Sequence, residues 1–176
     1  DTDLALVLAT SRADASRSWT SLKASAASAS FDGIDGITAS ATDIQVAINQ
    51  AGKVGDRVID YAGSGATALA FDLGASQSIA MDFEGDRGET VSAAAMLDLN
   101  VFGFFAVRGS FGFESRAQDV TLSDGSTIDD ARLVTIGGKD VNAFAGINGG
   151  FKANGSVADG ATGLALGSVD FGLALI

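Results

Sequence analysis

The stretch Leu97–Glu114 reads LDLNVFGFFAVRGSFGFE, and its odd positions are all apolar or glycine: Leu97, Leu99, Val101, Gly103, Phe105, Val107, Gly109, Phe111 and Phe113. Side chains of an extended chain alternate between faces, so these residues would share one side of a strand. At about 3.3 Å per residue, one unbroken strand here would run past ~50 Å, far beyond the usual length. Gly103 offers the break, and Phe102, Phe104 and Ala106 make the even positions around it apolar as well. The stretch is read as two strands bent or folded at Phe102-Gly103, with that centre covered on both faces.

The same period of two recurs along the chain. Leu69, Phe71 and Leu73 show it, as do Ile79, Met81 and Phe83. Val120 and Leu122 lead into Ser123-Asp124-Gly125-Ser126, a hairpin-type turn before Thr127-Ile128. Leu133–Ile136, Gly137-Gly138 and Val141–Ile147 follow. One segment, Asp14–Lys23 (DASRSWTSLK), has the caps and the Trp19-Leu22 spacing of a short helix. The expected fold is all-β: an elongated, Gly-rich bent sheet, β-sandwich or β-solenoid-like, with at most one short helix. Eleven Phe against many Ala suit large-on-small packing in a layered β core.

Composition narrows the chemistry. The chain has 176 residues with no Cys, no His and no Pro. It therefore has no disulfide scaffold or thiolate metal site, and it lacks the commonest general base. Its 22 acidic residues against 11 Lys and Arg give −11, a balance that repels nucleic acid and anionic membrane surfaces. Three of those acids are Glu and the rest Asp, a bias that belongs to turns and is also the usual supply of Ca²⁺ ligands. No apolar run approaches the ~18 residues of a spanning helix, and one Trp and one Tyr make poor girdles for a membrane barrel, so the chain reads as soluble. The lack of an initiating Met predicts a processed chain or a piece of a larger one.

Internal repeats are more informative. Residues 36–48, GITASATDIQVAI, align without gaps to residues 163–175, GLALGSVDFGLAL. The apolar phase flips in both, from Ile37, Ala39 and Ala41 to Ile44, Val46 and Ile48, and from Leu164 and Leu166 to Phe171, Leu173 and Leu175. A flip requires a bulge or bend just before Asp43 and Asp170 if both halves are to face one core. A shorter echo sets Phe31–Gly36 (FDGIDG) against Phe144–Gly149 (FAGING). Asp3–Leu8 (DLALVL) also matches Asp170–Leu175 (DFGLAL) at an offset of 167 residues. The chain is thus read as one module, residues 1–176, slightly more than one 167-residue period of a tandem array, with strand 3–8 equivalent to strand 170–175.

The phrases LDLNVFGFFAVRGSF, VTLSDGSTI, LVTIGGKDVNAFAGINGG, GLALGSVDFGLALI and SRSWTSLKASAASASFDGIDGITASATDIQVAINQ together resemble the tandem repeats of giant secreted bacterial proteins. These are adhesins and hemolysin-type calcium-binding (RTX-like) proteins. The resemblance covers almost the whole chain and implies an extracellular or cell-surface structural module. The nonapeptide GGxGxDxUx of an RTX calcium roll is absent, so no calcium roll is implied. The strand-Asp-strand repeat is also similar to the β-grooves of bridge-like lipid-transfer proteins.

The densest acidic group is Asp82-Phe83-Glu84-Gly85-Asp86-Arg87-Gly88-Glu89. Asp82, Glu84, Asp86 and Glu89 could gather on this glycine-bent loop and offer hard oxygens to Ca²⁺, although the loop lacks the order of an EF-hand. Asp32, Asp35, Asp129 and Asp130 are thinner candidates, since Asp-Gly is foremost a turn pair. Nothing in the spacing selects a catalytic carboxylate pair such as Glu84 and Glu114. Asn154-Gly155-Ser156 fits a glycosylation sequon by pattern alone. The chain is read as no enzyme. It is expected to be a structural or adhesive module of an extracellular bacterial surface protein or filament, associating head-to-tail with its own copies through its terminal strands and with no transmembrane segment. The alternative is a carbohydrate- or lipid-binding β module.

Overall fold

A computed structural model of the chain describes residues 1–31, 33–63, 65, 69–74 and 77–176. Asp32, one of the acidic candidates, lies outside them. The strands are β1 (Thr2–Thr10), β2 (Ser18–Phe31), β3 (Ile37–Ala51), β4 (Leu69–Gly74), β5 (Gln77–Met81), β6 (Thr90–Val101), β7 (Phe105–Thr121), β8 (Thr127–Ile147) and β9 (Thr162–Leu175). Seven of them form one sheet in the order β1-β2-β3-β6-β7-β8-β9, every neighbouring pair antiparallel, and the sheet is not closed into a barrel. Strands β4 and β5 make a separate hairpin inside the β3–β6 connection. The fold is all-β, and among the described residues the only helical element is a single 3₁₀ turn, Gly85–Arg87.

The opening stretch divides where Gly103 predicts. Strand β6 ends at Val101 and β7 begins at Phe105, with Phe102 and Gly103 both at positive φ (52° and 67°). The amide of Phe104 donates to the Val101 carbonyl to close the turn (2.9 Å). The expected cover on both faces is absent: Phe102 and Phe104 stand exposed at the sheet rim. The helix expected at Asp14–Lys23 is also absent. Asp14 lies in a loop, and β2 starts at Ser18 with its residues paired to both β1 and β3. Two ladder partners stabilise this segment more than a short isolated helix could stabilise itself.

Both flipped repeats contain the break. In β3 the pairing with β6 shifts between Thr42 and Gln45, and Asp43 takes φ 52°. In β9 the pairing with β8 shifts beside Ser168, at φ 50° and two residues before Asp170. Strand β8 bulges opposite, at Asp140 (φ 52°). Each bulge adds one residue between consecutive outward side chains, so the apolar residues on both sides of it stay on one face. Gly109 on β7 faces the β8 bulge, where a Cβ would lie 2.8 Å from Val141 Cα. Only glycine allows the strands to approach so closely. The shorter echo does not carry over: Phe31 is half-exposed on one face, whereas Phe144 is buried on the other.

Following the cross-strand partners gives the two faces. Leu6, Leu22, Ile48, Val91, Ser115, Val134 and Leu175 form one row, and the row beside it holds Leu4, Ala24, Val46, Ala93, Phe113, Ile136 and Leu173. The opposite face carries Ala5, Lys23, Ala47, Ser92, Glu114, Thr135 and Ala174 in its corresponding row. The small buried core sits on this second face, where Ala5, Tyr61 and Met81 pack with Val7, Ile59, Phe71 and Phe83 beneath the β4–β5 hairpin.

Candidate functional site

The acidic loop engages two of its four carboxylates, Asp82 and Glu89, with separate partners. Asp82 pairs with Lys23 at 2.6 Å. Glu84 precedes the 3₁₀ turn that contains Asp86, and its backbone carbonyl accepts from the Arg87 amide (3.2 Å). Glu89 accepts from the Ala51 amide through Oε1 (3.3 Å). Among the described residues, no group of three or more carboxylates is gathered closely enough to hold a metal. Glu114 is held by Arg87 (2.8 Å) and Arg116 (3.6 Å). Asn154 turns back on its own loop, accepting from the Ser156 amide and hydroxyl.

Other aspartates fasten loops. Asp124 accepts from the Ser126 hydroxyl (2.6 Å) and amide (2.9 Å), and these bonds lower its pKa. Asp14 does the same with Ser16. Asp60 collects the amides of Gly63, Gly85 and Ala62, which hold its carboxyl below the usual carboxylate range. Charge-assisted bonds of this kind favour the ionised form. The turn reading of the Asp bias is therefore realised at these sites.

A buried polar group escaped the sequence reading. Ser21 and Asn49, opposed on β2 and β3, are almost fully buried. The Ser21 hydroxyl donates to Asn49 Oδ1 (2.8 Å) and accepts from the Tyr61 hydroxyl (3.0 Å), while Asn49 Nδ2 donates to the Ile59 carbonyl (2.9 Å). These bonds pin the Ile59–Tyr61 segment to the sheet. Alternation predicts only which face these residues share. Their cover comes from a loop distant in sequence.

Between the hairpin and the sheet runs a groove of about 990 Å³, touching all seven strands from Asp3 on β1 to Ala174 on β9. One hollow can reach every strand only if the sheet curls around it, so this face is concave. Its floor is made of small residues such as Ala47, Ala94, Gly112, Gly137 and Gly172. The concave face also carries Lys23, Glu114 and the Asp98–Arg108 ion pair.

The convex face has the opposite character. From the Leu6–Leu175 row to the row of Ile37, Val101, Phe105, Ala145 and Leu164, no residue that the ladder places there is charged. Asp43 and Asp140 fall, by the count of their bulged strands, on the concave side. The convex apolar residues are open to their surroundings: Leu4 is 58% exposed and Leu164 67%. Exposed apolar patches beyond a few hundred Å² mark interaction surfaces. No protein-family description, curated protein or solved structure matches this chain. No helix of the described residues is long and apolar enough to cross a membrane, which leaves strands unaddressed.

Proposed function

We propose that the chain is a structural module, a segment of a continuous antiparallel β wall that grows by adding strands at its edges. One observation carries the reading. Strands β1 and β9, matched in sequence at an offset of 167 residues, occupy opposite edges of the sheet. The six antiparallel pairings between them leave both strands running in the same direction. Leu4, Leu6 and Leu8 also lie on the same face as Phe171, Leu173 and Leu175. Strand β9 is thus fit to stand where β1 stands, antiparallel to a β2. An even number of strands per period lets a meander continue without reversing a face. The resemblance to secreted bacterial repeats supports a place at the cell surface for such a wall.

The direction of the edges sharpens the expected behaviour. If intact copies are laid side by side with their faces aligned, β9 meets β1 of the next copy in parallel, a slightly weaker pairing. Removing residues 1–9 uncovers the edge of β2, which β9 of a second copy can join antiparallel, as in strand addition. The truncated chain should therefore form longer oligomers than the intact one, head-to-tail and open-ended. Sedimentation of both forms across a concentration series tests this. A truncated chain that keeps its β circular dichroism and stays monomeric would overturn the wall reading.

A further inference from the structure

We infer that the convex face is a lipid-facing surface, whose partner is the hydrocarbon of a bilayer. The band free of charge runs along β6 from Val91 to Val101, roughly 33 Å at about 3.3 Å per residue. Tilted by about 45°, as strands in membrane walls are, it stands close to the ~25 Å apolar band such walls present. Leucine, isoleucine, valine, phenylalanine, alanine and glycine make up most of its rows, with Ser115 at one end, while Lys23, Asp98, Arg108 and Glu114 turn to the concave side. A water-soluble sheet solvates one face and packs the other against a core. Among the described residues the buried core cluster lies on the same side as Lys23, Asp98, Arg108 and Glu114.

A second copy of the chain fits the surface poorly. The groove makes the opposite face concave, so two apolar faces brought together meet convex against convex and touch along a strip. Fluid acyl chains conform to a curved surface and ask for no interlocking side chains. At one rim, by the β2 end and the β6–β7 turn, Phe31, Phe102, Phe104 and Phe105 are exposed, at the place where a membrane wall carries an aromatic girdle. The girdle argument from Trp and Tyr counts does not see these four. The open edges of β1 and β9 would be costly within hydrocarbon, so the inference rests on the wall reading for their closure by further strands.

The experiment uses the full chain and vesicles of phosphatidylcholine, a zwitterionic lipid that avoids repulsion from the net charge. Trp19, the only tryptophan, is replaced by Trp19→Phe, and a single reporter is placed at Phe111→Trp on the convex face or at Ser92→Trp on the concave face. With lipids brominated midway along the acyl chain, the reporter at 111 should lose at least half its fluorescence, and the one at 92 should lose little. A second variant, Leu173→Asp, should reduce the vesicle-bound fraction tenfold or more, whereas Ser92→Asp should not. Equal quenching at both positions, or no vesicle binding, overturns the inference. So does a lipid-independent dimer that shields position 111 from an aqueous quencher, which would assign the face to a second copy. Sedimentation of the residue 1–9 deletion reads the wall separately, so a failure of lipid contact is told apart from a failure of the wall on which it rests.

Discussion

Asn49 shows how much a single residue carries here. Its amide spans two partners, the Ser21 hydroxyl and the Ile59 carbonyl, in a site closed to water. Leaving buried polar groups unpaired costs about 1–3 kcal/mol. Asn49→Ala should therefore lower stability in urea by about 2 kcal/mol. Tyr61→Phe, which removes one hydroxyl and leaves Ser21 its bond to Asn49, should cost about 1 kcal/mol. Asp60 gives a pH-dependent counterpart. Its folded pKa lies below that of a free aspartate because three backbone amides favour the charged form. Its contribution is present above about pH 4, the ordinary aspartate range, and is lost as pH falls through the lowered value. Thermal melts should show Asp60→Asn less stable than the parent at pH 7, with the gap narrowing toward pH 3.

At the level of elements, the bulges do what plain strands could not. A strand as long as β8, 21 residues, would accumulate twist and lose register with its neighbours if it remained regular. The bulge at Asp140 faces Gly109 on one side and the Ser168 bulge on the other, so the irregularity is shared across β7, β8 and β9. Asp43 holds the equivalent position in β3. A left-handed residue with a Cβ costs roughly 1–2 kcal/mol, less for Asp, which can bond locally. Asp43→Val should destabilise the chain by about 1–2 kcal/mol, while Asp43→Gly should be neutral or stabilising. Urea unfolding midpoints of the two variants check the contrast. The signal for these bulges was legible because a period-two pattern reverses phase only when a residue is inserted. The absence of a helix at Asp14–Lys23 was not, since β1 and β3 supply its partners from outside the local window.

The whole molecule is unusually open. It exposes 11086 Å², whereas a compact monomer of 17.6 kDa exposes about 7,900 Å². Most of the excess follows from a single curled layer covered on its concave side by Ile59, Tyr61 and the β4–β5 hairpin at one end and the loop after β8 at the other. In that second loop, Arg108 donates to the Lys152 carbonyl (3.0 Å) and the Gly149 amide to the Gly103 carbonyl (2.7 Å). Among the described residues, the convex side leaves Leu4, Leu6, Leu164 and Leu173 exposed. Occupation of the edges and the apolar face, as proposed, would add stability by mass action, so association and lipid contact are the properties to measure. The intact chain and the 1–9 deletion should differ in sedimentation even without lipid, because edge pairing depends on backbone direction and not on what covers the face.

Local residue order was enough for the all-β alternation, the turn at Phe102-Gly103, the Asp124 hairpin and the phase breaks near Asp43 and Asp170, though not for strand β2. These depend on residues a few positions apart, where alternation and turn chemistry act directly. The sequence also carried the match between Asp3–Leu8 and Asp170–Leu175. Long-range pairing set these strands at opposite edges, put Lys23, Asp98, Arg108 and Glu114 on the concave side, and brought Ser21, Asn49 and Tyr61 together. The acidic loop illustrates the difference: Asp82, Glu84, Asp86 and Glu89 are neighbours in the chain, but Lys23 and Ala51, brought in from β2 and β3, take Asp82 and Glu89 apart. Which face is inside depends on long-range pairing and on the loops that fold across it, and alternation is the same read from either side.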